Sequence, residues 1–117
     1  MTMPENRRRL EELLKPGGEL LGEKPRQRAM VRRVAVASPA SEARELFEQL
    51  AALGREVVPP EPTRGSRPGR LIEIPELGHV GYRETPTPTI DVNVSIEGLG
   101  NVKLKFVPAI ADGGAGR

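Results

Sequence analysis

A chain of 117 residues with 37% hydrophobic and 3% aromatic side chains can bury one small core of Ile, Val and Leu, and is a single domain at most. It holds no cysteine and one histidine, which leaves no disulfide framework, no thiol chemistry and no Cys/His zinc cluster. No apolar run approaches the ~20 residues of a membrane span. The formal net charge is +2, yet residues 1–33 carry nine basic against five acidic side chains, a balance that favours polyanionic partners.

Residues 1–37 read as a basic N-terminal segment. Met1 is not followed by a signal-peptide apolar region. Within residues 5–15, Leu10, Leu13 and Leu14 have helical spacing before the stop at Pro16-Gly17, a helix that would be marginal by itself. Residues 16–28, PGGELLGEKPRQR, read as linker, and 29–37, AMVRRVAVA, as a short strand or an ordered lead-in. Ser38-Pro39 then opens the best helix, Ser38 as cap and Pro39 in the first turn. Ala43, Leu46, Phe47, Leu50 and Leu53 form its apolar stripe, Arg44, Glu45, Glu48 and Gln49 face away, and Gly54 is the expected stop. Phe47 is the expected anchor on a sheet.

Residues 57–69, VVPPEPTRGSRPG, read as a loop because proline blocks regular pairing. Arg64, Arg67 and Arg70 add positive charge close to the sheet and are candidate RNA contacts, although such a loop also serves simple solubility. Four strands follow: Arg70–Ile74, His79–Arg83, Thr89–Ile96 and Asn101–Phe106. The first turn is Pro75-Glu76-Leu77-Gly78, the link Glu84–Pro88, and the last turn Glu97-Gly98-Leu99-Gly100. In the last two strands Ile90, Val92, Val94 and Ile96 share one face with Val102, Leu104 and Phe106. A slip of one residue would drive Lys103 and Lys105 into the core, so the register is strongly specified. The tail, 109–117, reads as disordered. The expected architecture is α+β, with one main amphipathic helix packed on a four-stranded antiparallel sheet over residues 38–108.

The other face of this sheet collects His79, Arg83, Asp91, Asn93, Lys103 and Lys105. Metal-free RNA cleavage uses such a set. A base takes the 2′-OH proton, an acid protonates the leaving 5′-oxygen, and cations stabilise charge on the phosphoryl oxygens. Histidine is the side-chain type that changes charge near neutrality, arginine meets phosphate as a bidentate fork, and lysine does so as a point charge. A wet sheet face of alternating charges, with Asp91 paired to Lys103 or Lys105, is the plainer reading of the same residues. Asp91 is too isolated for a carboxylate dyad or a metal site, and there is neither a phosphate-cradling glycine loop nor a nucleophile elbow.

Five pieces in order, ELFEQLAALG (Glu45–Gly54), IEIPELG (Ile72–Gly78), GYR (Gly81–Arg83), PTIDVN (Pro88–Asn93) and KLKF (Lys103–Phe106), carry a likeness. Together they resemble the C-terminal toxin domains of bacterial polymorphic toxins, the modules ending contact-dependent, Rhs-type and LXG-type effectors. The resemblance implies a barnase-like and colicin-like α+β ribonuclease without cofactor, with Tyr82, Arg83, Asp91, Asn93 and Lys105 in its site. It further implies an RNA target, tRNA among the candidates, and a cognate immunity protein. The expected setting is a secreted or delivered effector, monomeric when free, acting in the target-cell cytoplasm. Two features depart from the pattern: the link after Arg83 is only ETPTP, and Lys105 stands where many relatives carry histidine, which implies either a different acid/base set with His79 substituting or an inactive relative. The alternative is a non-catalytic RNA- or protein-binding module that uses the same face.

Overall fold

The alternating residues from Arg70 onward form the meander that their period predicts. The computed structural model describes residues 3–22, 31–58, 69–84, 87–96 and 99–109. In it β3 (Arg70–Ile74), β4 (Gly78–Arg83), β5 (Thr89–Val94) and β6 (Val102–Pro108) pair antiparallel in sequence order. Cross-strand partners place Ile72, Val80, Val92 and Val102 in one row, with Tyr82, Ile90 and Leu104 in the next. All seven are buried on the same face. The turn before β4 puts Glu76 at φ 68°, and Gly78 follows at φ 144° with Asn93 O only 2.2 Å from where a Cβ would stand. Only glycine fits there.

The helix α2 (Pro39–Ala51) covers that face. Its Ala43, Phe47 and Leu50 are fully buried, with Leu46 packed at the margin. The Phe47 ring stacks on Tyr82 with centroids 5.3 Å apart, and the Arg70 guanidinium lies 4.9 Å from its centroid. Phe47 is the anchor expected of it. Two local details differ from expectation. The Ser38 side chain makes no cap bond; its backbone N–H instead donates to Glu42 Oε2 at 3.3 Å. Gly54 matters less as a helix stop than as a crossing point, since a Cβ there would meet Glu73 O at 2.1 Å.

The expected sheet of four antiparallel strands is incomplete. The sheet has six strands, in the order β1-β6-β5-β4-β3-β2, and is mixed. At one edge β1 (Val31–Val36) runs parallel to β6, with Val34 beside Phe106, and Ala109 N–H donates to Val36 O at 2.8 Å. At the other edge β2 (Arg55–Val57) pairs antiparallel with β3. β2 is too short to show a period, and β1 breaks its own alternation with Arg32 on the core side. There the Arg32 guanidinium donates to the carbonyls of Leu20 (3.2 Å), Leu21 (2.7 Å) and Gly22 (2.6 Å). It thereby ties the chain before the strand to the sheet.

One main helix is likewise an undercount. The first helix, α1 (Met3–Leu14), sends Leu10 and Leu14 fully into the core that holds Phe47 and Leu104, and it packs against α2. The described part of residues 1–37 therefore belongs to the domain. A marginal helix is held by the apolar face it shares with a neighbour. The expected disordered tail lies, from residue 110 on, outside the described residues.

Candidate functional site on the open face of the sheet

Both helices sit on one side, so among the described residues no helix covers the opposite, open face of the sheet, and the register sorts its side chains into rows. One row runs Arg33, Lys105, Thr89, Arg83 across β1, β6, β5 and β4. The next runs Val31, Lys103, Asp91, Gly81, Leu71, Val57, and a third runs Asn93, His79, Glu73, Arg55. His79, Arg83, Asp91, Asn93, Lys103 and Lys105 thus share one face. Rows lie about 6.7 Å apart and strands about 4.8 Å apart.

Asp91 is the centre of the densest group. Its Oδ1 accepts from Lys103 Nζ at 2.9 Å, and its Oδ2 lies 3.8 Å from Arg83 Nη1. Asp91 is 29% exposed, Arg83 20% and Lys103 44%, so the trio is half sheltered. Arg83 Nε is buried and has no hydrogen-bond partner. Thr89 is fully buried although it is on this face, and its hydroxyl donates to Thr87 O at 2.8 Å. Gly81, directly beside Asp91, contributes no side chain to the row.

His79 stands exposed between Asn93 and Glu73. Arg55 Nε donates to Glu73 Oε1 at 3.0 Å. From strand spacing, His79 lies one diagonal step, about 8 Å, from Asp91 but about 16 Å from Lys105. The six side chains share a wall without meeting at a point. Arg83, Asp91 and Lys103 form one group, His79 and Asn93 the neighbouring one, and Lys105 flanks the first from the row beyond.

Two expected residues are elsewhere. Tyr82 faces α2: its hydroxyl donates to Glu84 Oε2 at 3.0 Å, and Arg44 pairs with the same carboxylate. Burial, followed by the Glu84 contact, pushes the Tyr82 phenol above its ordinary pKa, and Arg44 and Tyr82 hold Glu84 below the usual carboxylate range. Arg70, expected to touch RNA, also points to the helix side. Its fork donates to both Glu56 oxygens (2.9 and 2.8 Å), and it pairs with Glu48. The fork holds Glu56 below the usual carboxylate range. Arg70 binds the fold together, each of its three nitrogens donating to Glu56 or Glu48. Arg64 and Arg67 lie outside the described residues.

The sequence reading missed Arg33. It is exposed and takes the position beside Lys105 only because β1 pairs with β6, some seventy residues later, in parallel register. No local pattern announces such a neighbour. The strands put five cations on the open face (Arg33, Arg55, Arg83, Lys103, Lys105) against two carboxylates, Glu73 and Asp91. The Phe and Tyr rings, Phe47, Tyr82 and Phe106, are all buried in the core, so the exposed imidazole of His79 is the one ring that the described strands put on this face. Among the described residues no group of three or more His, Asp or Glu is placed to hold a metal ion, and no helix is long and apolar enough to cross a membrane.

Comparison with protein-family models, with curated proteins and with solved structures finds no match.

Proposed function

We propose that the open face binds the phosphate backbone of RNA and that the protein is a metal-independent ribonuclease of the toxin type. The observation that carries the reading is Arg83 and Lys103 drawn together over Asp91, with His79 and Asn93 in the adjoining row. Transesterification requires the 2′-oxygen to attack phosphorus while the 5′-oxygen leaves with a proton. In this assignment His79 takes the 2′-OH proton, the departing 5′-oxygen takes its proton from solvent water, and Arg83 and Lys103 stabilise charge on the phosphoryl oxygens. Asp91 holds both cations in place, and Asn93 orients the imidazole beside it. Lys105 steers the backbone as a point charge. The likeness of PTIDVN and KLKF to toxin ribbons supports the same reading. It adds a delivered effector, tRNA among its targets, and a cognate immunity protein that covers this cationic face.

A second reading, a binding module that cleaves nothing, draws on the separation of His79 from Lys105 and on the engagement of Lys103 by Asp91. Incubating the purified protein with total RNA in EDTA, beside His79→Ala and Lys105→Ala, separates the two. Cleavage that fails in His79→Ala and weakens in Lys105→Ala supports the ribonuclease. Salt-sensitive binding with RNA left intact at high protein concentration supports the module. Toxicity on expression that a neighbouring acidic gene product relieves supports the delivered effector.

A further inference from the structure

Arg33 and Lys105 are direct neighbours on β1 and β6, both on the open face, and neither has an ion-pair partner among the described residues. Like charges facing each other across strands destabilise a sheet. Beyond Lys105 the row continues through the buried Thr89 to Arg83, whose Nε is buried without a partner. The row therefore holds three cations over three strand spacings, about 14 Å, and no carboxylate. Asp91, which relieves Arg83 and Lys103, belongs to the next row.

We infer that this row is a phosphate-chain site in which Arg33, Lys105 and Arg83 take successive anionic groups of one polyanion lying across the strands. The RNA backbone is its occupant, and in this respect the inference rests on the function proposed above. The row places the entry of the chain at the β1 edge, where Arg33 is exposed, and directs it toward the Asp91 group. The row itself carries no ring, so phosphates carry the contact along it and bases do not, and its binding is independent of sequence.

Two readouts test this, using Arg33→Gln and Lys105→Gln, with Arg7→Gln on the exposed side of α1 as control. The first is the thermal midpoint with and without inorganic tripolyphosphate. Tripolyphosphate is expected to raise the midpoint of the unchanged protein, and each of the two glutamine variants is expected to lose most of that rise. Without the anion both variants match or exceed the parent, since a repulsion has been removed. The second readout is the salt dependence of binding to a short 2′-O-methyl RNA strand, which lacks the attacking hydroxyl. Each variant is expected to lower the log–log slope by about 0.7, and the control to leave it unchanged. The loss of affinity between about 50 and 200 mM salt then shrinks about threefold per variant.

An Arg33→Gln protein that keeps both the tripolyphosphate rise and the slope overturns the row, even where Lys105→Gln loses them. So does a parent protein that tripolyphosphate leaves unmoved. A parent that responds to tripolyphosphate through Arg33 but binds no RNA keeps the row as an anion site and removes the RNA function.

Discussion

The Asp91 carboxylate stands between Lys103 and Arg83, accepting from Lys103 Nζ at 2.9 Å and lying 3.8 Å from Arg83 Nη1. It organises the two cations and, by the same charge, repels any phosphate they attract. A unit charge about 6 Å from a phosphate in water is worth about 0.7 kcal/mol, or about threefold in affinity. Asp91→Asn is therefore expected to bind the 2′-O-methyl strand about threefold more tightly while cleaving RNA more slowly, because Lys103 and Arg83 lose the group that aims them. Stability should drop by at most about 1 kcal/mol, the trio being partly exposed. Titration and single-turnover cleavage read the two effects separately. Weaker binding in Asp91→Asn would show that the carboxylate serves the ligand directly.

Arg70 makes the opposite case, a cation whose partners are all within the protein. It spans Glu48 on α2 and Glu56 on β2 and lies over Phe47, so it connects helix, edge strand and core. Arg70→Gln is expected to cost about 1–2 kcal/mol from the lost cation–π contact and the charge-assisted bonds, discounted for partial exposure. The salt slope of RNA binding should stay where it is, while in Lys105→Gln it falls. Urea unfolding and the salt titration together distinguish a structural arginine from an RNA contact.

The meander was legible from sequence because alternation is a local signal: Ile90, Val92 and Val94 opposite Val102 and Leu104 leave one workable register. The wall bearing His79, Asp91 and Lys103 follows from that register, as does the burial of Phe47. What was not legible depends on distant pairing. β1 has a single buried position, Val34, and an arginine on its core side, so its pattern resembles a lead-in until β6 is beside it. α1 shows its leucine spacing, but whether a short helix docks depends on α2 offering a surface. Arg70 was misplaced because nearness to a basic loop says nothing about which face a side chain takes; its register opposite Tyr82 decides that.

Tyr82 gives the fold a pH dependence that can be followed at one group. Burial and the Glu84 carboxylate raise its phenol above the ordinary value near 10. With the folded value above the unfolded one, its contribution to stability is complete below about pH 10 and disappears as pH climbs through the folded value. Tyr82 is the only tyrosine and tryptophan is absent, so phenolate absorbance reports it alone. That absorbance is expected to rise later than in a free tyrosine and together with unfolding, and Tyr82→Phe should hold its stability further into the alkaline range. Glu84 works in the other direction. Its folded value is depressed, so its contribution is present above the usual carboxylate range and declines as pH falls through the folded value. Glu84→Gln should flatten the acid limb.

Leu10 tests whether the N-terminal helix belongs to the cooperative unit. Its side chain is fully buried, as is that of Leu14 one turn on, in the core that also holds Phe47 and Leu50. Truncating a buried leucine to alanine costs about 2–5 kcal/mol, against a total stability of about 5–15 kcal/mol for a typical domain. Leu10→Ala should therefore shift the urea midpoint clearly, whereas the same change on a detached segment would stay within about 0.5 kcal/mol. The form of the transition carries the rest of the argument. α1 packs on α2, and Arg32 of β1 grips the carbonyls of Leu20, Leu21 and Gly22, so the helix is fastened both by its own packing and by the chain that follows it. One transition with an unchanged urea slope is expected. A separate step at low urea, with Phe47 and Tyr82 still packed, would show that α1 unfolds alone and that its leucines cover the core without being part of it.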